Sequence, residues 1–209
     1  KEMKGISHRL LGHPLLIGER TKSTFLEDGV LYFRYGIPSL NFHTIYDYLI
    51  EGVPPYVYSS PGGLYVNMDK DEMKEVRNRM SLTLGDLAFF LGVSRRTIAR
   101  YEEGMASTIE HAMMIEQYLQ SQLITPQEIF KETDESAGET KQEDVSHLSR
   151  SEQDILEVFK QLGYSIFPTR TSPFNAITSD NLDTMLTGIS TYSNIMMKRA
   201  KLMSSISDI

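Results

Sequence analysis

Between residues 70 and 130 apolar positions recur at helical spacing and are punctuated by single glycines. Met73, Val76 and Met80 fall on one face of a first helix, and Leu84, Leu87, Ala88 and Leu91 on one face of a second. Thr83, with Asp86 three residues on, has the chemistry of a capping box, because hydroxyl and carboxylate together satisfy amides left unpaired in a first helical turn. Gly92 ends that helix, since glycine enters the left-handed conformation of a tight corner without a Cβ clash. Val93 then points back between the helices and Ser94 caps the next one. Its Ile98 and Tyr101 face inward, which leaves Arg95, Arg96, Ala99 and Arg100 outward. Gly104 stops it. Ser107 with Glu110 predicts the start of a fourth helix carrying Ile109, Met113 and Tyr118, and Thr125-Pro126 the start of a short fifth.

The flanks are mixed. Met3, Ile6, Leu10 and Leu11 predict an amphipathic helix ended by Gly12. Leu15-Leu16-Ile17 and Val30-Leu31-Tyr32-Phe33 predict buried strands, and Ile45, Tyr48 and Leu49 recur as on a helix. Tyr56-Val57-Tyr58 and Leu64-Tyr65-Val66 flank Ser60-Pro61-Gly62-Gly63, a hairpin that either projects as a wing or props the first helix of the central unit. A phosphate cradle at this Gly-rich turn would need a helix opening right after it, and a strand follows instead. Thr133 to Asp144 is polar and acidic, which predicts a flexible linker. Ser151-Glu152-Gln153-Asp154 offers a cap for a helix bearing Ile155, Leu156, Val158, Phe159 and Leu162, closed by Gly163. Strands are then predicted at Tyr164–Phe167, Pro173–Ile177 and Met185–Ile189, followed by a closing helix with Ile195, Ala200, Met203 and Ile206.

The Leu87 to Gly104 stretch resembles the lambda repressor/Cro-like, or Xre, helix-turn-helix family. Leu87, Ala88, Gly92, Val93, Ser94, Ile98, Glu102 and Gly104 meet its L-A-x-x-x-G-V-S-x-x-x-I-x-x-x-E-x-G pattern. The family usually has Gln after the Thr cap; this chain has Leu84, so groove reading leans harder on the arginines. The resemblance implies that Thr83, Ser94, Arg95, Arg96, Thr97, Ala99, Arg100, Arg77 and Arg79 form the DNA-binding set. Arg95 and Arg96 are expected to read bases, because a guanidinium fork matches the two acceptors on a guanine edge. Arg100, Arg77 and Arg79 are expected to hold phosphates, which position a protein without reading sequence.

The net charge of −7 opposes this, because duplex DNA rewards basic partners. Its distribution removes most of the conflict. Five arginines and one acid lie between Arg77 and Arg100, whereas seven acids and two lysines lie between Glu128 and Asp144. A modest, salt-sensitive affinity that depends on dimerisation follows.

The segment with Pro173-Phe174-Asn175 and Leu186-Thr187-Gly188 resembles the core of restriction-endonuclease-like folds, including Holliday-junction resolvases. Those enzymes place an acid where this chain has Asn175, and an acid and a lysine where it has Thr187 and Ile189. Two metal ligands and the base are therefore missing, and the segment is left a structural use. Gly18-Glu19-Arg20-Thr21, Tyr35-Gly36-Ile37-Pro38, Pro61-Gly62-Gly63-Leu64-Tyr65-Val66 and the helix-turn-helix also resemble a group of archaeal helix-turn-helix transcriptional regulators. In that group a nuclease-like segment precedes the DNA-binding unit and another follows it. Membership implies that this copy, which opens on Lys1, lacks the first and the final strands.

The expected fold class is α+β: a five-helix lambda repressor-like domain flanked by small mixed α/β segments resembling a degenerate restriction-endonuclease-like fold. Boundaries are expected at 1–69 for the N-terminal α/β segment with its hairpin, 70–130 for the helix-turn-helix, 131–148 for the acidic linker and 149–209 for the C-terminal segment.

Other chemistry is thin. The chain has no cysteine, which excludes disulfide scaffolds and thiolate zinc sites and fits a reducing cytoplasm. His8, His13, His43, His111 and His147 show no metal-site pairing, and no apolar run approaches the roughly 20 residues that span a bilayer. The expected function is transcription regulation by sequence-specific major-groove binding as a homodimer, with no enzyme activity, cofactor, metal or membrane partner. The rivals are a coactivator that uses the same fold to bridge general transcription factors, and a DNA nuclease or resolvase.

Overall fold

A computed structural model of the chain describes residues 2–21, 24–130 and 144–207. They form two compact units, one of residues 15–132 and one of residues 1–14 together with 133–209.

The first unit is a sheet with helices folded against its strands. Its strands β1 (Leu16–Ile17), β2 (Val30–Arg34) and β3 (Ile37–Leu40) lead to helix α2 (Phe42–Tyr46), which continues as a π-helical turn over Asp47–Glu51; α1 belongs to the other unit. Asn41 caps α2 by accepting a hydrogen bond from the Thr44 amide. Strands β4 (Val57–Ser60) and β5 (Gly63–Met68) form the expected hairpin, with Ser60 opposite Gly63 and φ values of 103° and 149° at Gly62 and Gly63. With two short later strands, β6 (Ser107–Thr108) and β7 (Ile124–Thr125), the sheet runs β1-β3-β2-β4-β5-β6, and β7 also bonds β5.

Asp69, just past β5, accepts from the Asp71 and Glu72 amides and starts α3 (Lys70–Arg79). Helices α4 (Leu84–Leu91) and α5 (Arg95–Glu102) follow. Then β6 (Ser107–Thr108) runs into α6 (Ile109–Leu119), and β7 (Ile124–Thr125) closes the unit. Met73, Val76, Leu87, Leu91, Ile98 and Ile115 are buried in one apolar core with Val66 of β5. A second cluster gathers Leu31, Leu40, Ile45 and Ile129 under the other end of the sheet.

Two sequence expectations are corrected here. Four helices, not five, occupy this stretch, because Ile124 and Thr125 pair with Met68 and Asn67 as a strand. Pairing to β5 satisfies the backbone that a Pro-led helix would otherwise have satisfied. The Glu116 carboxylate accepts from the Leu123 and Ile124 amides at 2.6 and 2.8 Å, and the Gln127 amide donates to Pro55 O at 2.7 Å, so this turn is fixed from both sides. The cap of α6 is Thr108, whose hydroxyl accepts from the His111 amide, while Ser107 is buried and paired to Val66.

The second unit opens with α1 (Glu2–Arg9), whose Glu2 carboxylate accepts from the Arg170 and Thr171 amides at 2.9 and 3.0 Å. Arg9 lies 4.0 Å over the ring of Phe167. Helix α7 (Arg150–Gln161) is followed by the antiparallel strands β8 (Ser165–Pro168), β9 (Ala176–Ser179) and β10 (Thr184–Thr187), and by α8 (Asn194–Ser207). The cap of α7 is Ser149 rather than Ser151: its hydroxyl accepts from the Glu152 amide, and its own amide donates back to that carboxylate at 2.7 Å.

The units divide the chain differently from the sequence boundaries at 69 and 148. Strand β5 bonds β4, β6 and β7, so hairpin and helices share one sheet. Residues 144–148 belong with α7, because Val145 and Leu148 pack with Leu156 and Ile166. The remainder of the predicted linker, residues 131–143, lies outside the described residues.

Candidate nucleic-acid interface

The corner between α4 and α5 is built by short-range chemistry. Thr83 has extended backbone, and its hydroxyl accepts from the Asp86 amide at 3.2 Å while Asp86 Oδ2 accepts from the Thr83 amide and hydroxyl at 2.7 Å each. Those bonds, the hydroxyl's first, hold the Asp86 carboxyl below the usual carboxylate range, and the Arg95 charge adds to the effect. Gly92 closes α4 with φ of 67°, and Ser94 starts α5 by accepting from the Thr97 amide at 3.1 Å. Ile98 and Tyr101 are buried, so the axis of α5 is fixed by its inner face.

The predicted site residues separate into groups. Arg95, Arg96 and Arg100 are exposed on the outer face of α5, and Ser94 and Thr83 are exposed at the two caps. Thr97 and Ala99 are half-buried, and the Thr97 hydroxyl is 2.9 Å from that of Ser94. Arg79 is exposed on α3. Leu84, in place of the expected Gln, is half-buried and packs against the apolar core.

Arg77 does not join them. It is 9% exposed, and its Nε and Nη2 donate to Glu102 Oε1 and Oε2 at 2.5 and 3.0 Å while Nη1 donates to the Leu82 carbonyl at 2.8 Å. Two of these bonds tie α3 to the end of α5 and the third ties it to the turn before α4, and the Glu102 hydrogen bond raises the Arg77 pKa. The sequence gives no hint of this inward turn, because the partner is 25 residues away. Glu102 was visible only as a pattern position; its role is to receive this fork.

Asn175, which stands where a nuclease would have its first acid, is engaged on both sides of its amide. Its Nδ2 donates to Glu152 Oε1 at 2.8 Å and its Oδ1 accepts from the Ile189 amide at 2.7 Å. The Thr187 and Thr178 hydroxyls are 2.8 Å apart. Asp180 Oδ1 accepts from the Leu182 and Asp183 amides in the β9–β10 turn. The two positions where a nuclease has acids do not fit a divalent metal: they offer the Asn175 amide oxygen and the Thr187 hydroxyl, both already bonded within the protein. Among the described residues no group of three or more His, Cys, Asp or Glu could hold a metal ion, and no helix is long and apolar enough to cross a membrane.

A capped α4–α5 corner with a cationic outer face, seated on a helical core, defines a helix-turn-helix protein, and residues 73–124 match the helix-turn-helix family. Residues 1–55 match the PD-(D/E)XK superfamily domain. Three archaeal relatives carry the provisional name of HTH-type transcriptional regulatory protein. That of Methanococcoides burtonii is 43% identical over 212 residues, covering 100% of this chain and 66% of the relative. Those of Methanocella arvoryzae and Archaeoglobus fulgidus are each 41% identical, over 212 and 210 residues, covering 100% of this chain and 65% of the relative. The chain belongs to the family of these archaeal helix-turn-helix proteins, and it spans about 65% of their length. No solved structure matches it.

Proposed function

We propose that the protein is a DNA-binding transcription regulator whose α5 enters the major groove. The observation that carries this reading is the helix itself: Ser94 caps it, Ile98 and Tyr101 bury its inner face, and Arg95, Arg96 and Arg100 leave three exposed cations on the outer one. The provisional names of the archaeal relatives agree with it. An overall charge of −7 does not oppose it, because the acid-rich stretch at 128–144 is separate in sequence from the arginines of α5.

The protein acts as a homodimer, with half-sites about one helical turn apart. Support comes from an apolar stripe on α2 and the turn after it. Phe42, Tyr46, Leu49 and Ile50 are all between 44% and 64% exposed, at the spacing of a single helical face. The stripe lies within the segment that matches the PD-(D/E)XK superfamily domain. That segment serves assembly rather than DNA cleavage, and the protein needs no cofactor.

Selection from a pool of random duplexes tests the reading. The native chain should enrich a two-fold symmetric motif, and the Arg95→Ala/Arg96→Ala variant should not. Enrichment of no motif by the native chain would sink it and favour a protein-bridging coactivator. Magnesium-dependent cleavage of linear or branched DNA would favour a nuclease.

A further inference from the structure

The first residue of the recognition helix does not project along it. The Arg95 guanidinium leans off α5 and lies over the second residue of α4, Gly85. A Cβ on residue 85 would stand 3.0 Å from Arg95 Nε, 3.2 Å from Nη2 and 3.3 Å from Cζ, all tighter than ordinary van der Waals contact. Gly85 is therefore the bare shelf on which this side chain rests. The φ of Gly85 is not among the left-handed ones, so backbone conformation gives no reason for a glycine there. Helix propensity argues against one.

Two further observations fix the direction of the lean. The neighbouring Asp86 carboxylate feels the Arg95 charge and is itself anchored by Thr83, so a fixed negative group stands beside the shelf. Leu84, on the other side of Gly85, packs against the core and so does not stand between Gly85 and the guanidinium. In a helix-turn-helix the first helix crosses the sugar-phosphate backbone while the second lies in the groove. A guanidinium held over the start of α4 is thus on the phosphate side of the interface. Arg96, the next residue, is exposed on α5 itself.

We propose that Gly85 is a positioning residue that commits Arg95 to a DNA phosphate, so that base reading at the start of the recognition helix falls to Arg96. The assignment rests on the DNA-binding reading and divides labour between two arginines that are adjacent and alike in sequence. It also accounts for a glycine at a position where alanine would favour the helix.

The test is duplex selection together with salt titration of binding, on the full chain and its Arg95→Ala, Arg96→Ala and Gly85→Ala variants. Arg95→Ala should keep the native motif, bind every duplex roughly tenfold more weakly and lower the salt slope by about one. Arg96→Ala should lose preference at one base pair per half-site while its salt slope stays closer to native. Gly85→Ala should melt no lower than the native chain, keep the motif and shift the salt slope toward that of Arg95→Ala. Relaxed preference at a base position in Arg95→Ala with an unchanged slope would overturn the assignment. So would a Gly85→Ala variant with native affinity and slope. A native chain that enriches no motif removes the DNA-binding reading itself, an outcome visible before any variant is compared.

Discussion

The Arg77 guanidinium meets the Glu102 carboxylate through two nitrogens, with the two side chains only 10% and 8% exposed. The pair joins the last turn of α3 to the last residue of α5. Breaking it from one side leaves a charge in a poorly hydrated place, which typically costs about 3–5 kcal/mol. Arg77→Leu and Glu102→Gln should each lower stability by that order in urea melts. Where the variants remain folded, the salt slope of DNA binding should stay native, because no phosphate contact has been lost. A slope reduced by about one in Arg77→Leu would instead return this arginine to the DNA face.

Arg79 and Arg100 are exposed and carry the opposite expectation. Alanine at either position should leave the melting temperature within error and weaken binding to all duplexes alike, with the salt slope falling by about one for each phosphate contact removed. Titration between low and moderate salt checks this, and a sequence-dependent loss would argue for base contact.

Acid should unfold the protein partly through its two capping boxes. Hydrogen bonds from Ser149 hold the Glu152 carboxyl below the usual range, and those from Thr83 do the same for Asp86. A carboxyl depressed on folding contributes stability that is present above its unfolded pKa, near 4, and is lost as pH falls through the lower folded value. Melting temperature should therefore be flat in this respect above about pH 5 and fall below about pH 4. Glu152→Gln should show a shallower fall, and an acid limb identical to native would refute the assignment.

Asn175 bridges α7 to the backbone just past β10 at Ile189, so removing its amide leaves two partners unpaired. Asn175→Ala should destabilise its unit by about 1–3 kcal/mol. Asn175→Asp puts a second carboxylate against Glu152 and should also destabilise. It should not confer magnesium-dependent cleavage, since Thr187 and Ile189 supply neither acid nor base; nicking of supercoiled DNA by that variant would contradict this.

The apolar stripe on α2 offers a test of assembly that leaves the arginines untouched. Ile50→Glu should lower the mass observed in sedimentation from two chains to one, and duplex affinity should fall with it. A native chain that sediments as one chain at high concentration would count against the dimer.

The helix-turn-helix corner was legible in sequence because its determinants are local. Thr83 and Asp86, Gly92, and Ser94 each act within three or four residues of themselves. The hairpin at Pro61-Gly62 was legible for the same reason. What was not legible depends on partners far along the chain. Thr125-Pro126 carries a helix-start signal, yet β5, nearly 60 residues earlier, captures that backbone as a strand. Arg77 reads as one more surface cation until Glu102 is brought beside it. Helix α1 looks like the opening of the sheet that follows it, but its Glu2 is bonded to the amides of Arg170 and Thr171. Arg95 and Arg96 are the same letter in sequence, and it takes the structure to show that the first of them lies over Gly85.

Strand β5 hydrogen-bonds β4, β6 and β7 and passes through Asp69 directly into α3. The hairpin that follows the exposed stripe and the helices that include α5 therefore share this one strand. Opening the hairpin would release the pairings of β6 and β7, the two strands that flank α6. Amide exchange at Val66 and Met68 should therefore be as slow as at Ile98 and Ile115.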